Sequence, residues 1–317
     1  MSRILLTGAT GFLGSHIAEA LVEAGHGVRC SVRATSDTRW IDGLLVEKVE
    51  LDLGAPETAG PAREALDGVD VVVHCGGLTR ARDEAEFLRV NARGTERLDG
   101  AEREAGVERF LLISSLVARG PDGADGPISP YGRSKREGER ALERAGEGME
   151  AVVLRPGGIY GPRDSDLMPL FAMAARGWIV VPRSEVPLQP VFVADVVSAV
   201  MAALEAPVPD RPIPVAGAER HGWDELAAAL ARAVGREGRV LRVPPPLFWA
   251  AGLLSELASR VTGRQPAMDR RRARDMSHHA WTCDIDPARR ALGWEPEVGV
   301  DEGLERTAAW YRAEGWL

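Results

Sequence analysis

Lysine is nearly absent from this chain. Only Lys48 and Lys135 occur in 317 residues, and arginine carries the rest of the positive charge. Cysteine is sparse too. Cys30, Cys75 and Cys283 stand singly, which excludes a disulfide framework and a cysteine-spaced metal site. Cys30 and Cys75 fall in strand-like runs and read as buried thiols. His278 and His279 are adjacent, so their side chains diverge, and they read as polar loop rather than metal ligands. No apolar stretch approaches the roughly 18 residues of a bilayer span. The first strand pattern follows the N-terminus directly, so no signal peptide is expected. Charges of both signs are dispersed without a long basic run, and the net charge of −8 argues against nucleic acid as a partner. No internal repeat or low-complexity segment stands out.

Glycine, by contrast, is well placed at the start. The sequence RILLTGATGFLGSHIAEALVEAGHGVRCSVR sets a short apolar strand before Gly8, Gly11 and Gly14. A helical pattern follows (Ile17, Ala20, Leu21, Ala24), is stopped by Gly25, and gives way to a second strand at Val28–Val32. Glycine permits a tight turn and close backbone approach. The free N–H groups and positive dipole end of the helix then suit a pyrophosphate. The spacing is G-x-x-G-x-x-G, not the G-x-G-x-x-G of simple dinucleotide binders.

Apolar runs recur between helical stretches: the Leu5 region, Val28–Val32, Val46–Leu51, Val69–His74, Phe110–Ser114 and Ala151–Leu154. Near-continuous apolar strands alternating with helices predict a doubly wound, Rossmann-type α/β fold whose parallel sheet is covered on both faces. Right-handed crossovers put every strand C-terminus on one edge, where ligands bind. Gly8, Arg33, Asp52, Gly76–Gly77, Ser114–Ser115 and Pro156 all fall at such ends. From about Tyr160 short strands, prolines and helices mix. This predicts a dinucleotide-binding domain over 1–160, a segment returning to it near 187–215, and a smaller substrate lobe over 161–317. Within that lobe LFWAAGLLSELASRV, opened by Pro244–Pro246, reads as an apolar helix too short in its apolar run to span a bilayer. A soluble cytoplasmic enzyme with a small-molecule substrate is expected.

The scarce residues meet in YGRSK. Chance sets a tyrosine four residues before a lysine here roughly 2 times in 100. On a helix, Tyr131 and Lys135 share a face. A phenol of pKa near 10 needs roughly 4 kcal/mol of differential stabilisation to act as a base near pH 7. A neighbouring ammonium supplies part of it, and a cofactor cation could supply more.

TGATGFLG, HCGG, VNARGTERL, FLLISSLVARG, YGRSK, RPGGIYGPRD, VFVADVV and CDIDPARRALGWEPEVGVDEGLERTAAWYR together resemble the extended short-chain dehydrogenase/reductases, the epimerase/dehydratase superfamily, nearly end to end. The resemblance implies a bound nicotinamide cofactor and a catalytic set of Ser115, Tyr131 and Lys135. It implies cofactor contacts from Gly8, Thr10, Gly11, Phe12, Leu13, Arg33, Asp52, Leu53, Gly76, Gly77, Lys135, Pro156 and Ile159. Asn91 matches the family's asparagine after the fourth strand, as a catalytic part or as a structural brace. Leu116 and Val117 stand where dehydratases carry Asp-Glu, and Gly158 stands where sugar-nucleotide epimerases carry Asn. These departures resemble the 3β-hydroxysteroid dehydrogenase and dihydroflavonol reductase-like branch and imply an apolar ketone or secondary alcohol as substrate. A sugar-nucleotide epimerase with tightly held NAD is the alternative. Arg33, with Thr35 or Ser36, suits the 2′-phosphate of NADP, with NAD as the alternative and Asp37 as a competing partner for Arg33. Leu78, Leu116, Val117 and Tyr160 are candidate substrate contacts. Met168, Phe171, Trp178, Phe248 and Trp249 are candidates to line the pocket. A homodimer is expected through the helices after Asn91 and at Tyr131, although KREGERALERAGEG is charged enough to be a solvated face.

Overall fold

The computed structural model describes residues 1–55, 59–122, 124–145, 149–247, 249–250, 253 and 279–317. Phe248, His278 and most of the expected helix after Pro246 lie outside the described residues. Two compact units emerge, one of Met1–Gly157, Val193–Val215 and Asp284–Glu295, the other of Gly158–Phe192, Ala216–Cys283 and Pro296–Leu317.

The strands in chain order are β1 (Arg3–Thr7), β2 (Gly27–Val32), β3 (Val46–Glu50), β4 (Val71–His74), β5 (Arg109–Ile113), β6 (Glu150–Pro156), β7 (Ile159–Tyr160), β8 (Trp178–Pro182), β9 (Val191–Phe192), β10 (Ile213–Val215) and β11 (Arg239–Val243). The first unit holds a seven-stranded sheet in the order β10-β6-β5-β4-β1-β2-β3. Every pairing in it is parallel. The apolar runs explain why: β4 and β5 are buried along their whole length, as strands covered on both faces must be. β3 departs from the expected apolar run. Its residues VEKVE are mostly exposed, and charge on a sheet edge blocks pairing with another chain.

The helices are α1 (Phe12–Glu23), α2 (Ala59–Leu66), α3 (Glu84–Phe87), α4 (Arg93–Ala105), α5 (Pro130–Ala145), α6 (Met168–Ala175), α7 (Val193–Glu205), α8 (Trp223–Ala233), α9 (Asp286–Leu292) and α10 (Val300–Ala313). In the first unit α1 packs on α7, while α2, α4 and α5 pack in a row. The core beneath that row joins Leu5, Leu66, Leu98, Phe110 and Leu142. Arginine fastens elements here by capping carbonyls. Arg109 donates to the oxygens of Ala203, Leu204 and Ala206 at the end of α7, at 2.9, 2.9 and 2.8 Å. The chain therefore returns to the first unit as α7 and β10. The earlier part of the expected return, Val191–Phe192, pairs instead with Ile159–Tyr160 in the second unit.

The second unit contains that short sheet and a second one, β8 with β11. Its packing is aromatic. The Phe171 and Tyr311 rings meet edge to face at 4.9 Å, and the Tyr311 hydroxyl donates to the Asp164 carbonyl.

Candidate active site

The glycine turn is built by exclusion. Gly8 has φ +74, and a Cβ there would lie 2.7 Å from the Gly76 nitrogen. A Cβ on Gly14 would lie 2.0 Å from the Gly8 oxygen. Any side chain at either position would push apart the turn, α1 and the end of β4. The Gly11 N–H closes the turn onto the Gly8 oxygen at 3.0 Å. No side chain caps the N-terminus of α1, so its first N–H groups point outward at its positive end. Strand order reverses between β1 and β4, the switch point where ligands bind in such sheets. These features fit the pyrophosphate of a dinucleotide. Thr10 and Phe12 are half-buried beside the turn, and Leu13 is buried beneath it.

Tyr131 and Lys135 lie one turn apart on α5, as the spacing requires. The Lys135 ammonium donates to the Ile113 carbonyl at 2.7 Å, at the C-terminal end of β5. Its residue is 8% exposed. Burial lowers the Lys135 pKa, and the neighbouring Cys75 and Glu139 oppose that shift. Burial also raises the Cys75 thiol to about 11, so Cys75 is neutral near pH 7 and the effective counter-charge is Glu139. Ser115 follows β5 in extended conformation and opens a 3-10 turn at Leu116–Ala118, where its hydroxyl accepts from the Val117 N–H at 3.4 Å. The Tyr131 ring tilts against Phe87 at 5.8 Å.

Glu139 is the residue that sequence reasoning missed. It sits four residues after Lys135, inside the stretch read as solvated, yet it is fully buried. Its carboxylate accepts from Ser114 Oγ at 2.5 Å, from Arg155 at 2.8 and 2.5 Å, and from Arg136 at 2.8 Å. Burial alone would raise its pKa. Arg155, then Ser114 and Arg136, more than offset that and hold it below the ordinary value. One carboxylate thus ties α5 to the ends of β5 and β6.

Asn91 occupies a π-helical turn at Leu88–Ala92, a local widening that recurs at functional sites. Its Oδ1 accepts from the Leu78 N–H at 2.7 Å, and its Nδ2 donates to the Leu78 oxygen at 2.9 Å and to Ser134 Oγ at 3.0 Å. The amide therefore braces the loop after β4 against α5. Behind it runs a buried chain. Thr95 Oγ1 donates to the Asn91 oxygen at 2.7 Å and lies 3.0 Å from His74 Nε2. His74 Nδ1 lies 2.6 Å from Thr7 Oγ1, which accepts from the Gly76 N–H at 3.0 Å. Thr95 has given its only proton to Asn91, so His74 Nε2–H must donate to it. Thr7 then donates to His74 Nδ1. Burial, with the Lys135 charge adding to it, lowers the His74 pKa to about 3. The ring is a neutral spacer that links the glycine turn to α4.

The other expected contacts scatter in character. Arg33 follows β2, is exposed, and its N–H donates to Ser36 Oγ at 3.0 Å. Asp37 pairs with Arg39 rather than with Arg33. Asp52 is exposed and closes a turn by accepting from the Gly54 N–H at 2.8 Å, and Leu53 beside it is buried. Gly77 lies against Asn91 and Lys135. Pro156 ends β6 in register with Val215. Ile159 and Tyr160 belong to the second unit, where Tyr160 is buried on Phe192 at 5.6 Å. Leu116 is 2% exposed and packs as core, which leaves Val117 and Leu78 as the more accessible apolar groups. Phe171 is likewise core, Met168 and Trp249 are half-buried, and Trp178 is open at the surface. The three cysteines are free. Among the described residues no acid, histidine or cysteine cluster could hold a metal, and no helix is long and apolar enough to cross a membrane.

Residues 4–215 match the NAD dependent epimerase/dehydratase family, and the chain belongs to it. It is 35% identical to a ceramide reductase of Caulobacter vibrioides, over 99% of this chain and 96% of the relative. It is 28% identical to the human sterol-4-alpha-carboxylate 3-dehydrogenase, decarboxylating, over 98% of this chain and 88% of the relative. Among solved structures, a UDP-glucose 4-epimerase of Thermotoga maritima with UDP-glucose superposes with a TM-score of 0.79 at 23% identity, covering 98% of this chain and 99% of that one. That last likeness concerns the fold.

Proposed function

We propose that this chain is an NADP-dependent oxidoreductase that interconverts an apolar, lipid-like ketone and its secondary alcohol, with Ser115, Tyr131 and Lys135 as its catalytic set. One observation carries this reading: a buried ammonium, Lys135, stands one helical turn from Tyr131 at the end of the strand that delivers Ser115. The nicotinamide, when bound, supplies or takes the hydride. Ser115 orients the substrate oxygen through its hydroxyl. Tyr131 gives that oxygen its proton, or removes it in the reverse direction, and Lys135 favours the phenolate form needed for the exchange. Asn91 and Glu139 hold α5 and the loop after β4 in place. The ceramide reductase and sterol dehydrogenase relatives support an apolar substrate, as does the absence of acid and base groups at Leu116 and Val117.

The test is cofactor consumption at 340 nm, with NADPH and NADH offered separately alongside long-chain keto-amides, steroid ketones and UDP-sugars. Oxidation of NADPH with the lipid ketones is expected. No consumption, together with NAD released when the protein is denatured, would point to an epimerase instead. Tyr131→Phe should lower turnover by about 10³-fold while cofactor fluorescence titration stays unchanged. Arg33→Ala should weaken NADPH about tenfold or more, the size of one charge-assisted hydrogen bond, and leave NADH unaltered. Equal losses for the two cofactors would remove Arg33 from the phosphate site.

A further inference from the structure

In the β8–β11 sheet of the second unit β8 is partly buried, whereas β11 is an edge strand exposed on both faces, with Val240 37% exposed. Side chains alternate along a strand, and residues paired in register share a face. Ile179 and Val181 are buried. On the other face lie Trp178 beside Arg239, and Val180 beside Leu241. Trp178 and Leu241 are each 49% exposed, where an open sheet face would ordinarily turn polar residues to water. The Arg239 guanidinium sits 5.6 Å from the centre of the Trp178 ring. Arg242 faces the other way and is held by Asp224 at 2.8 and 2.7 Å. After Pro244–Pro246 comes Leu247, 62% exposed.

Charge says what this face fits. Arg176, Arg183, Arg236 and Arg239 are exposed on or beside the sheet, against Glu185 and Glu237. Tryptophan paired with arginine, open leucines and a positive surround form the composition of an interfacial membrane contact.

We propose that the outer face of the β8–β11 sheet docks on an anionic bilayer surface. The contact does not depend on the hydride-transfer reading. Its test is co-sedimentation of the full chain with phosphatidylcholine vesicles, with or without phosphatidylglycerol. Binding is expected only to the anionic vesicles and should weaken as salt rises. Leu241→Glu and Arg239→Glu, both at exposed positions and expected to keep the wild-type melting temperature, should each lower vesicle affinity about tenfold or more. Equal binding to neutral vesicles, no binding to either, or unchanged binding by both variants would overturn the proposal. So would self-association of the wild type, abolished by Leu241→Glu, without vesicle binding. That result would make the face a contact between copies.

Discussion

Two neighbouring helices each bury a glutamate completely, and they treat it in opposite ways. On α5, Glu139 receives hydrogen bonds from Ser114, Arg136 and Arg155 and is held ionised. On α4, no donor among the described residues reaches either carboxyl oxygen of Glu102, whose one side-chain hydrogen bond is the one it makes in its protonated form to Asp99. Burial, with the charge of Asp99 adding to it, raises the Glu102 pKa to about 10. A buried charge survives where donors surround it, and otherwise the group neutralises. The ionised glutamate lies four residues from Lys135, where its negative charge helps keep an ammonium protonated inside the protein. The neutral one is remote from that work and weakens the fold as pH rises.

Breaking the satisfied member should do the most damage. Glu139→Ala leaves Arg155 buried without its carboxylate, which costs about 3–5 kcal/mol. Urea and thermal midpoints should fall accordingly. Glu139→Gln keeps the shape but not the charge, so the alkaline limb of the pH–rate profile should move to lower pH as Lys135 loses its counter-charge. An unmoved limb with a lowered melting temperature would make Glu139 purely architectural.

Glu102→Gln should act in the opposite sense. Between about 4.5 and about 10 the folded chain holds a proton that the unfolded chain has lost. Stability from this group is therefore complete below that window and declines through it by at most about 1.4 kcal/mol per pH unit. Glutamine removes the slope. The variant should match the wild type near pH 5 and melt several degrees higher at pH 8. Equal melting curves at both pH values would mean that a donor reaches Glu102 in solution and keeps it ionised.

The contrast also marks what a sequence can reveal. The glycine turn was legible because Gly8 and Gly14 stand where a Cβ would collide with backbone, and such constraints leave a fixed spacing. Tyr131 and Lys135 were legible because one helix sets both. Five strands of the main sheet were legible as apolar runs, and β3 was placed by a run whose residues proved to be a charged edge. Glu139 was hidden because its partner Arg155 is on β6, and nothing in REGER separates a buried glutamate from a solvated one. The Thr7–His74–Thr95 chain was hidden for the same reason, since its members come from β1, β4 and α4. Val191–Phe192 read as part of the return because a two-residue strand carries no mark of which sheet it joins.

Asp99→Asn gives the finest test, with the smallest expected change. Asp99 is raised by burial, and Arg103 at 3.6 Å offsets part of that. Removing its charge forfeits a partly exposed ion pair worth about 0.2–1 kcal/mol. It also relieves the repulsion that helps keep Glu102 protonated. These effects oppose each other, so the midpoint at pH 7 should move by less than about 0.5 kcal/mol. The pH dependence should still change: with Asp99 neutral, Glu102 titrates lower and the decline in stability ends at a lower pH. In Asp99→Asn/Glu102→Gln the decline should be absent. A large loss at pH 7 from Asp99→Asn alone, of the size expected for Glu139→Ala, would mean that α4 carries a compensated charge cluster like that of α5, and the contrast between the two helices would fail.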